Sequence, residues 1–472
     1  MAVGYSKENR DYRLSFEEIY LSARQLASIL CSRGVGTFAL TSDKNEVPSI
    51  GILAAILSGK TFVPINPTWP TERITNLLEA LNIDLIVSSR GDYQGRCVNP
   101  LEFDMNKKDS FQMIPPSDQG VLYIVPTSGT TASSKLIEIT YDNVWAYLNN
   151  FFKIADIGFE DIIGHMSELN FDVAIGDILW SFFSGAALVP IRSEQLLEVP
   201  TLIDKWKITV WSSAPSVAKN IITFYSQRAF SNLSLRKSFF IGEKLFKSVA
   251  QSWQILFPNG EIYNVYGPAE ATISIAYSVF NRNLAEEIVP IGVFYENQDF
   301  LLYNSDTQSA SEFEGELLLS GSQIMKGYVD ANANQRSFII IDGKRWYKTG
   351  DLVRQTENGY VFLRRIDNQI KIGGQRFELD EVESRLKDNY EGLFVHVIPY
   401  YFDELNNPTA LVGITDRILS AEEVQLLKKK LRETIPTSFI PRDFVAISEL
   451  PLNASGKLDR ALLLEKVEKQ LC

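Results

Sequence analysis

Residues 121–131 read Val121-Leu122-Tyr123-Ile124-Val125-Pro126-Thr127-Ser128-Gly129-Thr130-Thr131, with Lys135 four residues further on. The apolar run at residues 121–125 has the length and composition of a buried strand. A hydroxyl-rich glycine turn follows it directly. Gly129 lets backbone N–H groups approach a bound group closely, and the flanking Ser and Thr hydroxyls add further donors, which is what a polyphosphate needs. Lys135 adds a point charge. Taken alone, the same residues also suit an ordinary Ser/Thr loop. The surrounding sequence has to decide.

Upstream, Ser15 and Glu18 form a capping box, and Ile19, Ala23, Leu26 and Leu30 then share one helical face that Gly34 ends. Residues 38–40 read as a strand, 47–57 as a buried helix, 61–64 as a strand, 71–80 as a helix and 85–87 as a strand. This alternation predicts an α/β domain with mostly parallel sheet. Downstream come Tyr266-Gly267-Pro268-Ala269-Glu270, then Tyr347-Lys348-Thr349-Gly350-Asp351, then Arg365-Ile366-Asp367-Asn368-Gln369-Ile370-Lys371. Last is Leu450-Pro451-Leu452-Asn453-Ala454-Ser455-Gly456-Lys457-Leu458-Asp459-Arg460.

The glycine turn and these four segments, in this order and at these distances, resemble the adenylate-forming ligase family over nearly the whole chain. Within it the sequence looks most like the adenylation domains of nonribosomal peptide synthetases and the D-alanine–carrier-protein ligases. Residues 63–73 resemble an early core motif of the same family, with Asn66 where Asp is usual.

The resemblance implies a large N-terminal domain of packed mixed and parallel sheets with helices, residues 1–366, holding the ATP and substrate site. A small mobile α+β domain, residues 367–472, would rotate on a hinge at Asp367. The strand at residues 360–363 runs up to that boundary, and Ser420 and Glu423 cap a helix in the second part that Pro436 stops.

The implied reaction is ATP-dependent activation of an amino acid as aminoacyl-AMP, then transfer to the phosphopantetheine thiol of an acyl or peptidyl carrier protein. The substrate carboxylate is already ionised at neutral pH, so alignment and charge neutralisation matter more than a general base. By resemblance, Thr127, Ser128, Gly129, Thr130, Lys135, Tyr266, Asp351 and Arg365 bind the nucleotide, with Asp351 accepting both ribose hydroxyls. Glu270 would hold Mg²⁺ on the phosphates. Lys457 and Thr131 would serve the adenylation step, Lys457 by bridging carboxylate and phosphate.

Asp172 matches the family Asp that binds a substrate amino group, and Val173, Gly176, Ser212, Phe239, Ile241, Val265 and Ile273 complete the pocket. This set is largely apolar and has no acid besides Asp172, which favours a small or neutral side chain. Asp172 also suits the N-cap of the helix that follows.

Departures from the family pattern keep two other readings open. Residues 132–136 read Ala-Ser-Ser-Lys-Leu where Gly-x-Pro-Lys-Gly is usual, Ala269 stands for Thr, Ser455 for Asn, and Arg364 and Gly373 exchange types. One alternative is an acyl or aryl-acid coenzyme A ligase of the same fold. The other is a non-catalytic nucleotide-binding module.

Composition bounds these readings. The chain has 472 residues, 45% hydrophobic and 22% charged, which suggests more than one globular domain. A formal net charge of −12 makes a poor general binder of nucleic acid or anionic membrane. Cys31, Cys97 and Cys472 fit neither a disulfide framework nor a zinc site, and His165 and His396 are read as structural. No apolar leader is evident and the run at residues 47–57 is too short to span a bilayer. The expectation is a cytoplasmic enzyme with no nucleic-acid or membrane partner, free-standing or excised from a larger assembly.

Overall fold

The computed structural model describes the chain apart from residues 8–9, 91–95, 105–110, 118–119, 127–134, 226–227, 232, 368, 373–374, 401–409, 452–457, 459 and 472. Its described residues form two compact units. The first comprises Met1–Pro67, Leu78–Pro126 and Lys135–Ile366; the second includes Thr68–Leu77 and Asp367–Cys472.

The first unit holds three sheets. One has nine strands in the order Val293–Phe294, Ala276–Val279, Glu261–Tyr266, Lys237–Ile241, Val210–Ser213, Ile162–His165, Ala187–Pro190, Val3–Lys7 and Arg10–Leu14. Its interior pairs, from Glu261–Tyr266 to Val3–Lys7, are parallel. The outer pairs are antiparallel.

The second sheet has seven strands, with Val121–Pro126 between Leu136–Thr140 and Thr61–Ile65. Between these two sheets the helices bury their apolar faces in one continuous cluster that includes Leu26, Phe38, Ile52, Phe62, Tyr123, Phe151, Ile175, Trp180, Val210 and Phe239. The helix Val47–Ser58 is apolar nearly all round, and ten of its twelve residues are buried, as expected of a helix covered on every side.

The third sheet is antiparallel and was not foreseen. It runs Ser309–Ala310, Gln298–Asn304, Glu314–Gly321, Lys344–Thr356 and Phe338–Ile341, and Gly359–Arg365 also pairs with Lys344–Thr356. Leu317, Leu318 and Leu319 are all fully buried. Both faces of that strand are therefore covered, which erases the polar–apolar alternation that would reveal it.

The second unit carries a hairpin of Gln369–Ile372 with Gln375–Glu378 and a three-stranded sheet of Val395–Tyr400, Ala410–Thr415 and Asp443–Ala446. The helices Leu379–Lys387 and Ala421–Arg432 pack on that sheet through Leu379, Val382, Leu386 and Leu431. Ser420 and Glu423 make the expected capping box.

Candidate active site

The best-defined part of the site is built where Lys344–Thr356 and Gly359–Arg365 run side by side. Asp351 and Arg365 are register partners on these antiparallel strands. Gly350 has φ +71, a conformation that favours glycine. Its N–H donates to the Glu316 carboxylate at 3.0 Å, and the ladder shifts register between Glu316 and Leu318.

Asp351, the next residue after Gly350, is 4% exposed. Its Oδ1 accepts from Arg365 at 2.7 Å and its Oδ2 from the Tyr266 hydroxyl at 2.5 Å. Arg365 also donates to the Thr349 carbonyl at 2.6 Å. Burial, and the Asp351 carboxylate next to it, push the Tyr266 phenol well above its ordinary value. The phenol is thus held as a donor. Tyr266, Asp351 and Arg365, matched separately in the sequence, form one cluster.

Glu270 lies in the 3-10 turn Ala269–Ala271 that follows the Glu261–Tyr266 strand. It is fully buried, and its Oε1 accepts the Tyr328 hydroxyl at 2.6 Å. Tyr328 is held by its strand, where it pairs with Ile137. A hard carboxylate oxygen oriented by a phenol suits a divalent cation that keeps most of its other ligands as phosphate and water.

Immediately after Glu270, Thr272 and Ile273 have φ +58 and +68. Both are β-branched, and such residues sit in this region at a cost of about 1–3 kcal/mol each and persist there only where their surroundings hold them.

Three of the residues expected to line the pocket, Asp172, Gly176 and Ile273, meet at that turn. Asp172 opens the helix Asp172–Ser184, whose N-cap is Phe171, so the carboxylate is not used as a cap. Its Oδ2 accepts the Ile273 N–H at 3.0 Å instead. One helical turn on, a Cβ added at Gly176 would stand 3.3 Å from Cδ1 and Cγ2 of Ile273. Glycine is what lets these two walls meet.

Ser212 is the register partner of Phe239, and Ile241 that of Val265. Strand geometry therefore places all four on one face of the nine-stranded sheet. Phe239 packs its ring against those of Phe151, Trp180 and Tyr263, with centroids 5.3, 5.5 and 4.8 Å away. Val173 is half-buried against the same core.

A buried polar pair fixes the helix to the sheet. Asp177 Oδ2 lies 2.9 Å from His165 Nδ1, and His165 is the register partner of Ser212. Burial pushes the Asp177 carboxyl well up and the His165 imidazole well down, so each is driven towards its neutral form. Lys44 donates to the Met166 carbonyl at 2.7 Å and also to that of Ser167. His165 is thus a buried side chain held by Asp177.

Thr127, Ser128, Gly129, Thr130, Thr131 and Lys457 lie outside the described residues. Lys135 is half-buried at the entry to the strand Leu136–Thr140. Asp367 is exposed, is the first residue of its segment in the second unit, and its Oδ1 accepts the Gln369 N–H at 3.2 Å.

Sequence reasoning missed Tyr328 and the His165–Asp177 pair. Tyr328 had a faint signal in the Gly327-Tyr328 step after a leucine strand.

The family model described as AMP-binding enzyme matches residues 2–329. A D-alanine–D-alanyl carrier protein ligase of Bacillus licheniformis is 26% identical over 484 residues, covering 97% of this chain and 95% of the ligase. Bacitracin synthase 1 of Bacillus licheniformis is 30% identical over 478 residues, 96% of this chain but 9% of that protein. The crystal structure of the Vibrio cholerae adenylation domain AlmE in complex with glycyl-adenosine-5'-phosphate superposes with a TM-score of 0.86 at 26% identity, covering 99% of this chain and 95% of that one. On the family match across most of its length, the chain belongs to the AMP-binding enzyme family.

Proposed function

We propose that this chain activates an amino acid with ATP as an acyl-adenylate and then passes the acyl group to the phosphopantetheine thiol of a carrier protein. A carboxylate oxygen of the amino acid attacks the α-phosphorus of ATP, and pyrophosphate leaves. The thiol sulfur then attacks the acyl carbon, and AMP leaves. Neither step asks for a histidine, and both ask for alignment and charge neutralisation.

The observation that carries this reading is the position of Asp172. It is a buried carboxylate that accepts the Ile273 N–H, one helical turn before Gly176. An anionic group at that position is one that a substrate ammonium would pair with.

Asp351 takes the ribose hydroxyls, with Arg365 and Tyr266 fixing its two oxygens. Glu270 holds Mg²⁺, which when bound spreads the charge of the phosphates. Thr127, Ser128, Gly129, Thr130, Thr131 and Lys135 cradle the phosphates, and Lys457 bridges carboxylate and phosphate during adenylation. Val173, Gly176, Ser212, Phe239, Ile241, Val265 and Ile273 shape the side-chain pocket. The closeness of Ile273 to Gly176 favours a small side chain, and a largely apolar lining favours a neutral one.

Residues 1–366 form the adenylation core. Asp367 is the hinge on which residues 367–472 turn between the two steps.

The test is loading of a phosphopantetheinylated carrier protein with labelled amino acid. Thioester formation that needs both ATP and the carrier thiol supports the reading. Adenylate that forms but passes only to coenzyme A would replace the carrier with that thiol.

A further inference from the structure

We infer that Gln323 is a positioning residue for the amino-acid pocket, acting through the strained turn that carries Ile273; this rests on the pocket assigned above. Gln323 lies in the connection between Glu314–Gly321 and Gly327–Tyr328 and is fully buried. Its Nε2 donates to the Ser274 carbonyl at 2.7 Å and, more weakly, to the Ala271 carbonyl at 3.4 Å. Its own carbonyl accepts the Thr272 hydroxyl at 2.6 Å. One buried side chain and its carbonyl thus tie residues 271, 272 and 274, on both sides of Ile273. Two residues on, the Met325 N–H donates to the Glu270 carbonyl at 2.8 Å.

Gln323 is itself held. Asn150 donates to its Oε1 at 2.9 Å, and its N–H donates to Gln298 at 3.2 Å. Asn143, seven residues before Asn150 on the helix Tyr141–Ala155, donates to the Ser322 and Ile324 carbonyls at 2.7 and 3.0 Å. Two asparagines at this spacing share a helix face, so the bracing segment is anchored to a rigid element.

A turn with two β-branched residues at positive φ persists only where its neighbours over-determine it. The clamp has two sides: Asp172 on the Ile273 N–H and Gln323 on the carbonyls around it. Through it Gln323 fixes where the Ile273 side chain stands over Gly176, without needing to touch the amino acid.

The test is Gln323→Glu, which keeps the size and the acceptor for Asn150 but loses the N–H donors to Ala271 and Ser274. The amino-acid KM is expected to rise about tenfold, with the ATP KM within about twofold, as Asp351 and Arg365 are unchanged. Backbone amide exchange at Ile273 and Ser274 is expected to quicken, and it can be read with no substrate present. Unchanged exchange at these amides overturns the inference, as does an equal rise in both KM values.

If the wild type activates no amino acid, the functional reading fails on its own and amide exchange still decides the clamp. If Gln323→Glu does not fold, Asn150→Ala, which removes the donor to Oε1 without adding a charge, is read in the same way.

Discussion

The carboxylate of Asp172 accepts the backbone N–H of Ile273 at 3.0 Å, across 101 residues of sequence. The group assigned to the substrate ammonium is therefore also a support of the pocket wall. Its two parts can be separated. Asp172→Asn keeps an acceptor for Ile273 but loses the charge; Asp172→Ala loses both.

Asp172→Asn is expected to fold normally and to lose about 100-fold or more in kcat/KM for the amino acid, as when one partner of a buried charge pair is removed. Asp172→Ala adds a stability loss of about 1–3 kcal/mol from the orphaned N–H. Denaturant melts beside amino-acid-dependent kinetics separate the two effects. A full-activity Asp172→Asn variant would remove the ammonium from the account.

Asp351 receives Tyr266 and Arg365 at once. Asp351→Asn keeps the shape but removes the counter-charge of a mostly buried guanidinium. ATP affinity is expected to fall about 10- to 100-fold, the cost of a charge-assisted hydrogen bond or two, with the amino-acid KM little changed. Calorimetric titration with ATP checks this. Equal ATP affinity in the two proteins would place the ribose elsewhere.

Glu270→Gln preserves an acceptor for the Tyr328 hydroxyl, so the turn should survive. The lost charge is expected to lower kcat about 100-fold and to move the Mg²⁺ requirement to higher concentration. A Mg²⁺ titration of adenylation at saturating ATP reads this. An unshifted titration would mean that the cation is held without Glu270.

Among the first α/β elements, the helix expected over 71–80 is legible because its period is plain, and Thr71–Ala80 forms it. The capping boxes at Ser15 and Ser420 were equally local and equally legible. The antiparallel third sheet was not, because burial on both faces at Leu317–Leu319 leaves no alternation. In the site, Asp351 and Arg365 could be named but not their pairing, which depends on the register of two strands. Gln323 was silent for the same reason: its work is done by contacts with residues about 50 and 170 positions away.

In the second unit, Glu381 is buried on the helix Leu379–Lys387 and its Oε2 makes no hydrogen bond among the described residues. Burial pushes its carboxyl up to about 7, against the pull of Arg73 and Arg385. The folded state therefore holds this proton more tightly than the unfolded chain does. The resulting stability is present in full below the ordinary glutamate range and is lost as pH rises through about 7. Glu381→Gln is expected to flatten that fall and to be the more stable form at pH 8. Hydrogen exchange in residues 379–387 between pH 5 and 8 measures it, and a parallel decline in both proteins would assign the effect to another group.

The most direct test of the central claim is ATP–pyrophosphate exchange with Mg²⁺ across proteinogenic, D- and β-amino acids, beside matched acids lacking the amino group. Exchange is expected with one or a few small, neutral amino acids and not with the deaminated acids, and the signal is expected to be lost in Asp172→Asn. Exchange driven equally by acids without an amino group, or silence across the panel while ATP still binds, would contradict that claim.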